Sequence, residues 1–122
     1  MTEIALTADK LTLIVHGFDV VLALKKQLEI PLAHVERVEG GVAPEAEARL
    51  RHSLRMPGTY LPGLVTAGSY VEDGRWMFWN IHKGERAITI WLRHDRFDAL
   101  VVDVQDPTAE VARISAALRS AR

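Results

Sequence analysis

Residues 64–121 read LVTAGSYVEDGRWMFWNIHKGERAITIWLRHDRFDALVVDVQDPTAEVARISAALRSA, four short apolar runs parted by three turn signals and followed by one amphipathic segment. Leu64 to Val71 ends at Glu72-Asp73-Gly74-Arg75, where Asp-Gly supplies the positive φ that a tight hairpin turn requires. Trp76 to Ile81 follows, and His82-Lys83-Gly84-Glu85 makes the next turn. Ala87 to Leu92 then alternates, Ile88, Ile90 and Leu92 on one face and Thr89 and Trp91 on the other. Arg93-His94-Asp95-Arg96 turns once more before Phe97 to Val104, so the stretch predicts a meander of four strands. Asp106 is placed to cap a helix, Pro107 has its φ preset for the first helical position, and Glu110 sits in the positive first turn. Val111, Ile114, Ala117, Leu118 and Ala121 recur at three- and four-residue intervals, giving the helix one apolar stripe that must dock, and the open end of a curled β-structure is the nearest apolar surface.

Toward the N-terminus the pattern is looser. Leu11 to Val15 and Asp19 to Lys25 are rich in Val, Ile, Leu and Thr and flank a Gly-containing break, which predicts a first hairpin. Ile30-Pro31 is an extended step before a short strand ending at Gly40-Gly41, with Leu32, Val35 and Val38 facing the core. Residues 44–55 hold strong helix formers, with Ala46, Leu50 and Leu54 spaced by four, until Met56-Pro57-Gly58 stops them. Residues 40–63 are read as an excursion within a single domain spanning 1–122, since neither flank alone buries a core.

A chain of 122 residues buries roughly two thirds of its unfolded surface and needs no staples. It has no cysteine, which excludes a disulfide framework, thiolate catalysis and sulfur-ligated zinc. With 15 basic and 16 acidic residues the formal charge is -1, which offers no global field for nucleic acid or an anionic bilayer. The apolar stretch Leu11 to Leu24 is interrupted by His16, Gly17 and Asp19, well short of the roughly 20 residues of a spanning helix. Glu3 and Asp9 stand where a signal peptide has its positive region, so a cytoplasmic location is expected.

No catalytic signature accompanies these elements. His16, His34, His52, His82 and His94 show neither His-x-x-x-His nor His-x-His spacing, and no metal or cofactor is expected. Ser53 beside His52 and Asp95 beside His94 lack a nucleophile elbow, and the glycines spell no phosphate loop. Phe78 with Arg75 and Lys83 falls short of the basic stripe of a nucleic-acid binder. Trp76, Trp79 and Trp91 are read as sheet packing, with Trp76 and Trp79 on opposite faces by parity. Arg49, Arg51, His52 and Arg55 form the densest basic cluster, suited to an anion if they share a helical face. Tyr60 and Leu61 place apolar surface near the bend at Pro62-Gly63.

The run of about seven strands and a terminal helix resembles the bacterial pleckstrin-homology (PH)-like domains. The residues that carry it are Ile30-Pro31-Leu32 leading to Val35 and Val38, the Gly58, Pro62-Gly63 and Gly68 series with Tyr70, Gly74 before Trp76 and Phe78, and Phe97 to Val104 running into Asp106-Pro107. The resemblance implies a mainly β, α+β fold, a bent antiparallel barrel capped by one C-terminal helix, and a non-catalytic binding or scaffolding role. Familiar eukaryotic members grip inositol phosphates with Lys and Arg around the first hairpin, but His16-Gly17-Phe18-Asp19 has neither. The first expectation is therefore protein contact or self-association, with Tyr60 and Leu61 near the contact surface. The alternative is weak anion or membrane-surface binding through Arg49, Arg51 and Arg55.

Overall fold

A computed structural model describes residues 2–16, 27–51, 54–61, 65–82 and 85–121, with backbone alone for 54–61 and Val65. Among these residues the fold is mainly β, with nine strands in two sheets. The smaller sheet holds β1 (Thr2–Leu6), β2 (Lys10–Val15) and β3 (Gln27–Pro31) in that order. The larger holds β4 (Val35–Gly40), β5 (Leu54–Leu61), β6 (Val65–Glu72), β7 (Arg75–His82), β8 (Ala87–Leu92) and β9 (Phe97–Asp103), arranged β4-β8-β9-β7-β6-β5. A 3-10 turn over Leu32–His34 hands the chain from one sheet to the other, and helices α1 (Pro44–Arg51) and α2 (Pro107–Ala121) complete the fold.

The six-stranded sheet is covered on both faces, which explains why its central strands read as nearly continuous apolar runs. On one face Phe78, Ile88, Ile90, Leu100 and Val102 meet Leu11, Leu13 and Val15 of β2, and Ile114 and Leu118 of α2 enter the same cluster. On the other, Tyr70, Met77, Trp79, Trp91, Ala99 and Val101 lie under Ala43 and under Ala46 and Leu50 of α1. Parity along β7 therefore separates the tryptophans as expected. Trp79 is buried beneath α1, and Trp76 is half-buried against the opposite cluster. Phe78 is fully buried, edge-on to Phe97 at 6.2 Å, so it offers no stacking platform to a nucleic acid.

Several expectations hold at the level of single elements. The β6–β7 connection is the two-residue turn expected, Asp73 at φ 51° and Gly74 at φ 76° joining Glu72 to Arg75. Leu32 and Val35 enter the core, and Val38 packs at its margin. Helix α2 starts at Pro107, and Asp106 Oδ1 accepts the Ala109 N–H at 3.1 Å. Ile114 and Leu118 of its stripe are buried and Val111 and Ala117 pack beside them, whereas Ala121 is exposed. Burying two such aliphatic side chains stabilises the docked helix by roughly 3–6 kcal/mol.

Other expectations are corrected. The two sheets are not closed into a barrel: β3 pairs with β2 and β4 with β8, and the Leu32–His34 turn breaks the ladder between them. Helix α2 packs on β4, reaches β1, β8 and the 3-10 turn, and ties to β1 through Arg113 Nη2 donating to the Ile4 carbonyl at 2.6 Å. The four-strand meander is wrong at one joint. Strands β7 and β8 do not pair, because β9 lies between them, parallel to β7 and antiparallel to β8. Within the 40–63 excursion, Pro44–Arg51 forms α1 and Leu54–Leu61 returns to the sheet as the strand β5. An edge strand tolerates Pro57 and Gly58, and the register shift between Arg55 and Gly58 accommodates them. Leu54 belongs to β5 rather than to the helix. At the N-terminus the described partners of β2 are β1 and β3, and the proposed strand 19–25 lies outside the described residues.

Candidate functional site

Among the described residues β4 stands at one end of the larger sheet, and two hollows flank it. Opposite Trp91 of β8 stands Arg37 of β4, because the ladder slips by one residue at Glu36 and sets Arg37 on the Trp91 face. The Arg37 guanidinium carbon lies 5.1 Å from the indole centroid, and that of Arg49, from α1, lies 5.7 Å away. Both separations suit cation–π attraction, worth about 0.5–1 kcal/mol each at an exposed site. Trp91 is itself buried, and its Nε1–H donates to Glu39 Oε2 at 2.9 Å.

Both cations are already matched by carboxylates. Arg37 Nη1 donates to Glu36 at 2.7 Å and its Nε lies 3.7 Å from Glu39, while Arg49 Nη1 donates to Asp98 of β9 at 3.2 Å. Glu36, Arg37, Arg49 and Asp98, with Glu45 from the first turn of α1, enclose a cleft of about 350 Å³ floored by Trp91 and Leu92. On the other side of β4 a groove of about 470 Å³ runs between the strand and α2. Val38 and Leu118 form its apolar floor, and Glu36, Arg37, Ser115 and Arg119 its polar rim.

The basic residues singled out in the sequence do not converge. Arg49 joins the cleft, but Arg51, two positions on and so about 200° around the helix, pairs with Glu47 at 3.3 Å. Arg55, Tyr60 and Leu61 belong to β5, at the opposite edge of the sheet from β4, and their side chains lie outside the described residues. His16 pairs with Glu3 at 2.9 Å and His34 with Asp95 at 2.8 Å, two separate contacts. Asp95 also accepts the Phe97 N–H through Oδ1, so it organises the β8–β9 turn, where His94 takes a φ of 55°. Among the described residues no three His, Asp or Glu side chains gather as a metal site. Nor is any helix long and apolar enough to cross a membrane.

Sequence reasoning missed the acids and Arg37. The signal was present in Glu36-Arg37-Val38-Glu39, a strand that places charge on both sides of one half-buried valine at the end of a sheet. Comparison of the chain with known protein families, with curated proteins and with solved structures gave no match.

Proposed function

We propose that this chain is a non-catalytic, PH-like binding or scaffolding module that engages a protein partner at the surface around β4, where two hollows open. The observation that carries the reading is the position of β4. Among the described residues its ladder partner is β8, and the groove against α2 and the cleft around Trp91 open beside it. A partner that seats side chains in both hollows gains specificity from their shapes and charges.

The anion- or membrane-surface alternative rests on Arg49, Arg51 and Arg55. Arg49 and Arg51 each already face a carboxylate, so an incoming anion must displace Asp98 or Glu47. Protein contact is therefore the better-supported reading. The test is selection of binding peptides on the purified chain, followed by amide hydrogen exchange with a selected peptide bound. Slowed exchange concentrated at residues 35–40 is the expected outcome. Peptides that bind while leaving those amides unchanged, or retention on anionic vesicles with no peptide selected, overturn it.

A further inference from the structure

We infer that a third hollow, between the last turn of α2 and the β1–β2 turn, binds a small zwitterion with an aliphatic side chain, the chemistry of a free apolar amino acid, its carboxylate toward Arg93 and its ammonium toward Asp9. Three turns meet to build it. Thr7, Ala8 and Asp9 form the β1–β2 turn, closed by the Thr7 N–H donating to the Lys10 carbonyl at 2.9 Å. The 3-10 turn is tied at its first residue to Asp9, whose carbonyl accepts the Leu32 N–H at 2.9 Å, and at its last to Arg93, whose N–H donates to the His34 carbonyl at 2.8 Å. Together with Leu118 and Ala121 of α2, Ala8, Asp9, Leu32, Ala33 and Arg93 enclose about 380 Å³, room for a molecule of amino-acid size. This hollow shares only Leu118 with the groove beside β4.

Five of the seven lining residues are aliphatic, and they set the apolar half of the ligand. Leu32 and Leu118 are buried and make the floor, whereas Ala8, Ala33 and Ala121 are exposed, come from three separate elements and are too short to fill the space above it. An aliphatic group seated there removes apolar surface from water on both sides of the contact. The remaining two residues carry opposite charges that do not neutralise each other. Asp9 and Arg93 form no ion pair, and among the described residues the Arg93 guanidinium has no partner at all. Asp9 Oδ1 accepts the Thr7 hydroxyl at 3.1 Å, which leaves its second oxygen open to a ligand. Helix α2 ends at Ala121, so the partial negative charge of its last carbonyls adds to that of Asp9. An arginine fork donates two parallel N–H bonds to a carboxylate. A ligand with both charges satisfies both sides, whereas a simple carboxylate meets Asp9 as a like charge and a simple amine meets Arg93.

The experiment titrates leucine into the full chain beside isocaproate, which lacks the ammonium, isoamylamine, which lacks the carboxylate, and glycine, which lacks the side chain. The readout is the backbone amide shifts. Leucine is expected to move the amides of Ala8, Asp9, Ala33, Arg93 and Ala121 saturably and to bind about tenfold tighter than any of the other three. Arg93→Gln and Asp9→Asn change exposed positions, and the asparagine keeps an acceptor for Thr7, so both variants retain the fold. Each is expected to weaken leucine by about fivefold, Arg93→Gln without weakening isoamylamine and Asp9→Asn without weakening isocaproate. Isocaproate binding as tightly as leucine overturns the zwitterion in favour of a carboxylate, and isoamylamine doing so overturns it in favour of an amine. Glycine binding as tightly as leucine overturns the apolar floor as part of the site. Saturable shifts confined to other residues, or none with any of these compounds, overturn the site itself.

Discussion

Trp91 and Asn80 show what single side chains contribute on the two faces of the larger sheet. The Trp91 N–H donates to Glu39 in a part-buried position, so removing that acceptor loses the bond and leaves the donor only partly reached by solvent. Glu39→Ala is expected to lower unfolding free energy by about 1–2 kcal/mol in urea titration, and Glu39→Gln, which keeps an acceptor oxygen, by less than half as much. On the opposite face Asn80 is fully buried, and its Nδ2 donates to Thr2 Oγ1 at 2.9 Å, pinning β1 to the six-stranded sheet. Thr2→Val removes that contact and should cost about 1–3 kcal/mol. Combining it with Asn80→Leu should cost less than the sum of the two single changes, because no polar group is then left unpaired; additive costs in the double-mutant cycle would refute the link. Alternation made the faces of Trp76, Trp79 and Trp91 readable in advance. The partners Glu39 and Thr2 were not readable, since they come from strands 52 and 78 residues away in the chain.

Elements whose signals are local were the legible ones. Helix α2 declares its start through Asp106-Pro107 and its buried face through period, and the Asp73-Gly74 turn follows from positive φ alone. Strand β1 went unread although Ile4 lies in the core, because Thr2–Leu6 is only five residues long and carries one glutamate. Strand β5 was hidden by Pro57 and Gly58, residues that exclude a central strand but not an edge one. Two changes separate the cap of α2 from its anchor. Asp106→Ala loses the bond to the Ala109 N–H and should cost about 1 kcal/mol, with the helix still docked. Ile114→Ala opens a cavity at a fully buried position and should cost about 2–5 kcal/mol. Thermal unfolding of both variants checks the ranking, and an Asp106 effect as large as that of Ile114 would contradict it.

The order of the larger sheet is a property of the whole molecule that no local pattern encodes. Period-two alternation identifies a strand and its faces but not its neighbours, so β9 was placed after β8 rather than between β8 and β7. One clue was present: Ala99, Leu100, Val101 and Val102 are consecutive and all buried, the mark of a strand covered on both sides. That arrangement makes β7, β8 and β9 the ladder shared by both apolar clusters, whereas α1 covers one face with only Ala46 and Leu50 buried. Amides of Met77–Asn80, Ile88–Trp91 and Ala99–Val102 are therefore expected to exchange only through global unfolding, with one common free energy. Those of α1 should exchange through a smaller opening, with a weaker denaturant dependence. Native-state hydrogen exchange in low urea separates the two classes, and equal slopes for α1 and β9 would show that the helix does not open alone. The consequence reaches the cleft. Glu45 and Arg49 ride on α1, so each opening removes both from beside Trp91. A ligand held in the cleft must suppress the opening, and it should slow exchange in α1 as well as around Trp91.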